Sequence, residues 1–204
     1  MEITTKLKNR LSKNIWFHGT KLSSWINIKE NGVLADYNKE TASDLDFGYG
    51  FYLSPTAQKA EQFITRELQI GVFDKQDIPV ILEFSFCPLQ CQEETECNML
   101  ILNDYNEDFA NFVFNNRTEN FNGTKQHDYD MVYGVMSDSY PTKEIGEYKA
   151  GLKSKEDVLL ALQKRTSVKQ LSLHTQNICD ILSLTRVYQL DFDNDVRKEL
   201  DINE

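Results

Sequence analysis

The sequence predicts an α+β protein in which residues 1–204 form one domain, with its core at about 14–191 and peripheral termini. Short runs of alternating apolar residues, typical of strands, lie between longer segments with apolar residues every three or four positions, typical of helices. A hydrophobic fraction of 40%, with 12 Phe and 9 Tyr, is enough for a packed core. No Gly/Ser-rich or Pro-rich stretch marks a linker, so a single domain is the default.

The first half of the chain contains the strongest strand pattern. Val80, Leu82, Phe84 and Phe86 alternate with Ile81, Glu83 and Ser85, which predicts a strand at 79–86. Ser and Pro residues before apolar stripes indicate helix starts, and Asn-Gly indicates a helix end. The preceding predicted elements are a strand at 14–17 ending in His18-Gly19-Thr20, a helix from Ser23 or Ser24 to Asn31-Gly32, a loop at 38–45, a strand at 51–53, and a helix opened by Ser54-Pro55 that reaches Leu68.

The second half continues the mixture. Phe109, Phe112 and Val113 share one helical stripe within 105–115, and Ser154 with Asp157 resembles a capping box that opens a further helix. The other predicted elements are strands at 129–136, 168–173 and 186–190 and a helix at 175–184. Residues 191–204 are acidic, and we expect them to fray. The sequence does not indicate the order of the strands.

The net charge of −10, from 32 acidic and 22 basic residues, argues against a broad basic surface for duplex nucleic acid. It leaves room for a local phosphate-binding edge formed by Lys6, Lys8, Arg10 and Lys13. An acidic protein is also suited to a basic binding partner. The charge therefore favours, slightly, a protein target over a nucleic acid.

The four cysteines at 87, 91, 97 and 179 lack the tight pairs of a zinc site, so we interpret them as reduced thiols and expect no metal. The closeness of the first three leaves a metal site as the alternative. No apolar run approaches the roughly 18–20 residues that span a bilayer. Residues 1–15 also lack the apolar core of a signal peptide. We therefore expect a cytoplasmic protein without a membrane partner.

The segment from Asp46 to Ser54, Asp-Phe-Gly-Tyr-Gly-Phe-Tyr-Leu-Ser, is the most informative in the chain. Two glycines one residue apart allow a tight turn and a close approach of a ligand to the backbone. Tyr52 on a strand and Phe63 on the next helix are then able to clamp a flat heteroaromatic ring. The alternative is a glycine bulge in a core strand with two ordinary core aromatics.

This segment resembles the central motif of ADP-ribosyltransferases of the diphtheria-toxin and poly(ADP-ribose) polymerase type. The chain is more similar still to bacterial ADP-ribosyltransferase-like domains of formerly unknown function. Five motifs occur in the order of that group: His18-Gly19-Thr20, the Asp46–Tyr52 segment, Asn116-Arg117, the Tyr129–Gly134 segment and Gln170 at the start of a late strand. The resemblance covers residues 16–190 and implies a split β-sheet core surrounded by helices.

The resemblance implies NAD⁺ as co-substrate and a catalytic set of His18, Tyr52 and Gln170. His18 would bind a ribose hydroxyl, and the backbone of Gly19 would bind the nicotinamide carboxamide, while Ala60 replaces a serine that helps in polymerase-type relatives. The residues implied in NAD⁺ binding are Gly19, Thr20, Phe47, Gly48, Gly50, Phe63 and Arg117. For Arg117 the residues leave three alternatives: a pyrophosphate ligand, a helix cap, or a partner of Asp130. His127 and His174 are interpreted as non-catalytic.

Gln170 is the main departure from the better-known relatives, which carry Glu at this position. An amide keeps a hydrogen bond to the ribose but loses the charge that strengthens it. The sequence therefore favours transfer of a single ADP-ribose unit over chain elongation. Asp130, Glu83 or Asp138 is the candidate for a compensating carboxylate. The alternative is a protein-interaction module that binds NAD⁺ without turnover.

The resemblance implies a mono-ADP-ribosyltransferase toxin that modifies an intracellular protein or nucleic acid. It also implies a toxin–antitoxin or phage-defence setting, with a neutralising antitoxin or a chaperone as partner. An RNA 2′-phosphotransferase-like enzyme is a weaker alternative, because the phosphate-gripping His/Arg pairs that it needs are not evident in the sequence. The acceptor itself stays open at this point.

Overall fold

The computed structural model describes residues 4–39, 45–72, 74, 76–119, 127–137, 141–164, 168–191 and 196–202. Within these residues, helices and strands are mixed and the strands form two sheets, which confirms the α+β prediction. Asp138 and residues 40–44 of the predicted loop lie outside the described residues.

The elements alternate along the chain. The helices are α1 (Thr5–Leu11), α2 (Leu22–Asn31), α3 (Ala57–Gln69), α4 (Pro88–Thr95), α5 (Glu107–Glu119), α6 (Pro141–Lys149), α7 (Lys155–Leu162) and α8 (Gln176–Cys179). The strands are β1 (Ile15–Lys21), β2 (Phe51–Leu53), β3 (Pro79–Ser85), β4 (Met99–Leu102), β5 (Met131–Val135), β6 (Lys169–Leu173), β7 (Ser183–Asp191) and β8 (Val196–Leu200).

The chain forms two compact units, a division that the sequence did not predict. The first unit comprises Met1–Leu34, Leu53–Glu96 and Asn177–Glu204, and the second comprises Ala35–Tyr52 and Cys97–Gln176. The first contains the antiparallel sheet β1-β3-β7-β8. The other sheet has the order β2-β6-β5-β4, in which β5 is antiparallel to β6 and parallel to β4.

The central strand of the first unit is buried on both faces. Val80, Ile81 and Leu82 are consecutive on β3 and have no exposed surface. Because neighbouring side chains in a strand point to opposite faces, this run shows that both faces of β3 are covered.

The core of the second unit is built around α5. Phe109, Ala110 and Val113 lie on its buried face and pack in one cluster with Val132 of β5 and Val158 of α7. The predicted stripe on this helix is therefore confirmed. The predicted capping box of α7 is confirmed as well, since the Ser154 hydroxyl accepts from the Asp157 N–H and the aspartate carboxylate accepts from the serine N–H.

Two predicted helix starts are wrong. α2 begins at Leu22, before either predicted serine, although Gly32 ends it with a positive φ of 76° as expected. α3 begins at Ala57, and its cap is Thr56, whose hydroxyl accepts from the Lys59 N–H. Ser54 cannot cap this helix because its backbone exchanges hydrogen bonds with Phe17 in a β-bridge.

The termini contribute to the fold, contrary to the prediction that they are peripheral. Leu7 and Leu11 of α1 are buried, and β8 pairs with β7 over residues 196–200. The sequence analysis also missed α4, β4 and α6 and overestimated α8, which ends at Cys179. These are short elements, for which tertiary contacts outweigh local propensity.

All four cysteines, at 87, 91, 97 and 179, are free thiols. Burial and the neighbouring charge of Asp180 raise the pKa of the Cys179 thiol to about 12, so this thiol stays protonated at neutral pH. Among the helices in the described residues, none combines the length and the apolar character needed to cross a bilayer.

Gly19 marks the closest contact between a helix and a strand in the first unit. A Cβ atom at this position would lie 2.4 Å from the carbonyl oxygen of Ala60 and 3.4 Å from the Cβ of Ile64, both on α3. Ala60 and Ile64 are themselves buried. The absence of a side chain at Gly19 is therefore a requirement of packing.

We expect Gly19→Ala to lower the free energy of unfolding by about 1–3 kcal/mol, because α3 must move away from β1 to admit the methyl group. Gly146→Ala is the matched control, since Gly146 lies in α6 and an added Cβ has no neighbour within 4 Å. This change should raise stability by roughly 0.5–1 kcal/mol, the helix preference of Ala over Gly. Urea unfolding measures both values, and equal stability of G19A and the wild type would contradict the packing argument.

Candidate functional site

The residues predicted to bind NAD⁺ or to act on it fall into two groups, one in each compact unit. The first unit carries His18, Gly19 and Thr20 on β1 and Phe63 on α3. The members in the second unit are Phe47, Gly48, Gly50, Tyr52, Arg117 and Gln170. Each group has a geometry of its own.

In the first unit, β1 holds its motif residues in the sheet. His18 is half-buried and lies opposite Leu82 of β3, and Thr20 is buried opposite Val80. Phe63 is different, because 46% of its surface is exposed. The alternative that Phe63 is an ordinary core residue is therefore wrong. Its ring is available for contact with a ligand or a partner.

In the second unit, residues 46–50 form a loop before β2 that we call the glycine-aromatic loop. Tyr52 fixes this loop through its hydroxyl, which donates to the carbonyl of Gly48 at 2.7 Å and accepts from the N–H of Phe47 at 3.1 Å. The rings of Tyr52 and Phe47 stack with centroids 6.3 Å apart and an angle of 19°. Tyr52 is thus tied to the loop by both its ring and its hydroxyl.

Side chains bind every carbonyl from residue 47 to residue 50. Besides the bond from Tyr52, His127 Nε2 lies 2.8 Å from the Phe47 oxygen, His174 Nδ1 lies 2.6 Å from the Tyr49 oxygen, and Asn38 Nδ2 lies 3.1 Å from the Gly50 oxygen. The Asn38 oxygen also accepts from the N–H of Gly50 at 3.1 Å. Four consecutive carbonyls are therefore held by four different side chains.

A buried ion pair anchors the start of the loop. Arg117 donates from Nε to Oδ1 of Asp46 at 2.9 Å, and its Nη2 lies 2.8 Å from the same oxygen. Ser137 donates to the carboxylate from its N–H and its hydroxyl, at 2.8 and 2.7 Å. Both charged side chains are at most 8% exposed. The pair therefore forms part of the interior of the second unit.

This geometry corrects the interpretation of Arg117. The predicted pairing with Asp130 is wrong, because that carboxylate accepts from the N–H of Asn98 and the hydroxyl of Thr175, at 2.8 and 3.0 Å. The role as pyrophosphate ligand is not supported either, since the buried guanidinium is committed to Asp46. Arg117 also lies within α5 and does not follow it. Its role is to neutralise the buried carboxylate.

At three further positions that we assigned to NAD⁺ binding, the fold itself requires the residue type that is present. The side chain of Phe47 has no exposed surface and belongs to the core, so its ring is not available to a ligand. Gly48 has a φ of +80°, a conformation that other residues rarely adopt. A Cβ at Gly50 would lie 2.6 Å from the carbonyl oxygen of Leu173, so β6 already fills that space.

Gln170 lies on β6, opposite Gly134 of β5, and is 8% exposed. Among the described residues, none forms a hydrogen bond with its side chain. The amide is not completely enclosed, so it can offer both a donor and an acceptor to a ligand. β6 is also the neighbour of β2, the strand that carries Tyr52.

The carboxylates predicted to replace the missing glutamate charge already accept hydrogen bonds from other residues, where the structure describes them. Glu83 lies on β3 of the first unit and accepts from the hydroxyl of Thr185 at 2.9 Å. Asp130 accepts the two hydrogen bonds given above, and Asp138 lies outside the described residues. A substitute for the missing glutamate charge is therefore not evident in the described part of the chain.

Sequence reasoning missed most of the residues that hold the glycine-aromatic loop. Asn38, His127 and His174 are distant from the loop along the chain and belong to no local pattern around it. Asp46 was part of the quoted motif, but its partner Arg117 lies 71 residues later. No spacing in a single sequence indicates such bonds. Only the fold brings these side chains to the loop.

Residues 33–184, about three quarters of the chain, match a protein family described as "Protein of unknown function (DUF3990)". No curated protein matches this chain. The matched range begins after the His18-Gly19 motif and includes both segments of the second unit. The residues that hold the glycine-aromatic loop therefore all lie within the matched range.

We expect Tyr52→Phe to lower the free energy of unfolding by about 1–3 kcal/mol, because the change leaves the Gly48 carbonyl without its donor. Burial, followed by the charge of Asp46, raises the pKa of Tyr52 above its ordinary value of about 10. The protonated phenol therefore stabilises the fold fully below pH about 10, and this stability is lost as pH rises towards the folded pKa.

Urea unfolding at pH 7 and at about pH 10.5 checks both effects, the second pH being chosen just above the unfolded tyrosine pKa of about 10. The wild type should lose more stability between these two values than Y52F does. Tyr37→Phe is the control, since Tyr37 is 69% exposed and its change should cost less than about 0.5 kcal/mol. A Y52F protein as stable as the wild type at pH 7 would show that this hydroxyl does not hold the loop.

Proposed function

This chain belongs to the DUF3990 family, and we propose that it is an NAD⁺-dependent mono-ADP-ribosyltransferase. The observation that carries the proposal is that Tyr52 and Gln170 lie on neighbouring strands, β2 and β6. Tyr52 follows a fixed glycine-aromatic loop, and Gln170 presents an almost buried amide to which no described residue hydrogen-bonds. Both occupy the positions at which the sequence resembles known ADP-ribosyltransferases.

The reaction sets the requirements for these residues. The bond between the ribose C1′ and the nicotinamide nitrogen breaks, and its electron pair stays with the departing neutral nicotinamide. C1′ then forms a bond with a nucleophile of the acceptor, which gives up a proton. Between these events the ribose carries positive charge, as in glycoside cleavage. The protein must hold the ring, fix the ribose and leave the opposite face open to the acceptor.

Each unit carries one of the two aromatic residues that the resemblance implies, Tyr52 in the second unit and Phe63 in the first. The hydroxyl of Tyr52 is bonded to the loop, so this residue offers its ring and not its hydroxyl to the nicotinamide. In the first unit, the exposed ring of Phe63 is available to a ligand. His18 binds a ribose hydroxyl, and the backbone of Gly19 binds the carboxamide. Thr20 adjoins them on β1.

Gln170 orients the ribose through a neutral hydrogen bond. Charge-assisted hydrogen bonds are about twice as strong as neutral ones, so the amide stabilises the positive ribose less than a glutamate would. This weaker stabilisation favours a single transfer over elongation of an ADP-ribose chain. It also makes NAD⁺ binding without turnover the second outcome that an experiment must distinguish.

We propose further that the enzyme is a cytoplasmic toxin whose acceptor is a protein or a nucleic acid of the same cell. The resemblance to bacterial domains of this type supports a toxin–antitoxin or phage-defence setting. A net charge of −10 suits a basic neutralising partner, such as an antitoxin or a chaperone. The same charge favours a protein acceptor slightly over a nucleic acid.

The test is incubation of the purified protein with NAD⁺ labelled in the adenylate part and with cell lysate. Transfer appears as label on a macromolecule together with released nicotinamide. Loss of label after nuclease treatment identifies a nucleic acid acceptor, and loss after protease treatment identifies a protein. Gln170→Ala should lower the transfer rate by about 10²-fold, the usual effect of removing one transition-state hydrogen bond.

The matched control for Q170A is Gln69→Ala, since Gln69 is exposed at the end of α3, outside the proposed site. The control should transfer ADP-ribose at the wild-type rate. An unchanged rate in Q170A would reject the assignment of Gln170. Calorimetric binding of NAD⁺ without release of nicotinamide would identify a non-catalytic binding module, and absence of binding would reject the whole proposal.

We expect Phe63→Ala to weaken NAD⁺ binding roughly two- to tenfold, which corresponds to the loss of one aromatic stacking contact. The free energy of unfolding should change by less than about 0.5 kcal/mol, because the ring is exposed. Ile26→Ala is the control, since Ile26 is an apolar residue of similar exposure, 48%, on α2. Calorimetry measures the binding, and equal affinities of F63A and I26A would remove Phe63 from the site.

A further inference from the structure

We propose that His127 and His174 are positioning residues that fix the glycine-aromatic loop as two neutral imidazoles in opposite tautomers. Their bonds to the Phe47 and Tyr49 carbonyls determine which ring nitrogen carries the proton in each case. The consequence for catalysis rests on the proposed function, whereas the tautomers and the order of the loop do not. Neither residue needs to touch the substrate.

The tautomer of His127 follows from its two partners. The N–H of Tyr129 can only donate, and it lies 3.2 Å from Nδ1, so Nδ1 must accept. The proton of the neutral ring is then on Nε2. That nitrogen lies 2.8 Å from the carbonyl oxygen of Phe47, which can only accept. Both contacts are satisfied by one tautomer and by no other protonation state of the ring.

His174 requires the reverse arrangement. The carbonyl oxygen of Tyr49 lies 2.6 Å from Nδ1, so Nδ1 must carry a proton and donate. Nε2 lies 2.7 Å from the hydroxyl of Ser172, and we assign the proton of this bond to the hydroxyl, because a charged ring is costly in a site that is 3% exposed. The other acceptor within reach of that hydroxyl, the carbonyl of Val132, is more distant at 3.3 Å. A neutral ring with its proton on Nδ1 satisfies the short contacts.

Packing holds the two rings in these orientations. His174 is 3% exposed, and its ring meets that of His127 edge to face, with centroids 4.6 Å apart. A Cβ at Gly50 would lie only 2.7 Å from Nδ1 of His174, so the loop backbone lies directly against this ring. The His174 ring also meets Tyr52 edge to face, at 6.4 Å between centroids. His174 thus contacts both the loop and Tyr52, the residue proposed to hold nicotinamide.

The test uses the different shapes of Asn and Gln. The amide nitrogen of Asn occupies the place of a histidine Nδ1, and that of Gln occupies the place of Nε2. His127 donates from Nε2, so His127→Gln should keep the loop ordered and His127→Asn should not. His174 donates from Nδ1, so the opposite result is expected. His174→Asn should keep the loop ordered, and His174→Gln should not.

Hydrogen exchange of the Phe47, Gly48 and Gly50 amides measures the order of the loop in all four variants. In H127N and H174Q we expect exchange to be about tenfold faster, the effect of losing about one hydrogen bond. H127Q and H174N should exchange at nearly the wild-type rate and should retain NAD⁺ turnover. The proposal would be overturned if the same residue, whether Asn or Gln, preserved the loop better at both positions. That result would indicate that the histidines act through packing only.

Nitrogen NMR of the wild-type histidines at neutral pH tests the tautomers directly and does not depend on the folding of any variant. The proposal requires a proton on Nε2 in His127 and on Nδ1 in His174. The proposal would be overturned if both histidines had the same tautomer or if either ring were doubly protonated. If the wild type releases no nicotinamide while the tautomers and the exchange pattern agree, the proposed function fails and the positioning role stands.

Discussion

The structure of the second unit depends on one constraint: the buried backbone carbonyls of the glycine-aromatic loop require hydrogen-bond donors. The glycine-aromatic loop cannot use the regular ladder of a sheet, because Gly48 has a left-handed φ of +80°. Its carbonyls therefore take donors from side chains that come from distant parts of the unit. An unsatisfied carbonyl in this position would cost about 1–3 kcal/mol, so each donor contributes to the uniqueness of the loop conformation.

The ion pair between Asp46 and Arg117 also helps to hold the glycine-aromatic loop. A buried charge is costly unless a partner and further hydrogen bonds compensate it, and here Ser137 and Thr142 complete the set. The pair therefore determines where the loop begins more than it adds to stability. It also explains why a guanidinium that follows a motif asparagine is not free to bind a phosphate.

In the second unit, most of the predicted site residues stabilise the fold, and few remain available to a ligand. Phe47, Gly50 and Arg117 are used in packing, whereas no described residue hydrogen-bonds the side chain of Gln170. A buried amide that has no partner among the described residues is uncommon where it has no task. This contrast, more than the motif alone, supports a ligand-binding role.

The sequence by itself determined the α+β class, most of the longer elements and the capping box at Ser154, because these depend on local periodicity and on side chains three residues apart. It also indicated Tyr52 and Gln170 as residues of interest through their motifs. It failed for α1, α4, β4, α6 and β8, because short elements carry only a weak local pattern. The two compact units, the partner of Arg117 and the side chains that hold the loop were decided by the tertiary structure alone. The physical reason is that hydrogen bonds and ion pairs between residues 12 to 125 positions apart leave no periodic trace in the chain.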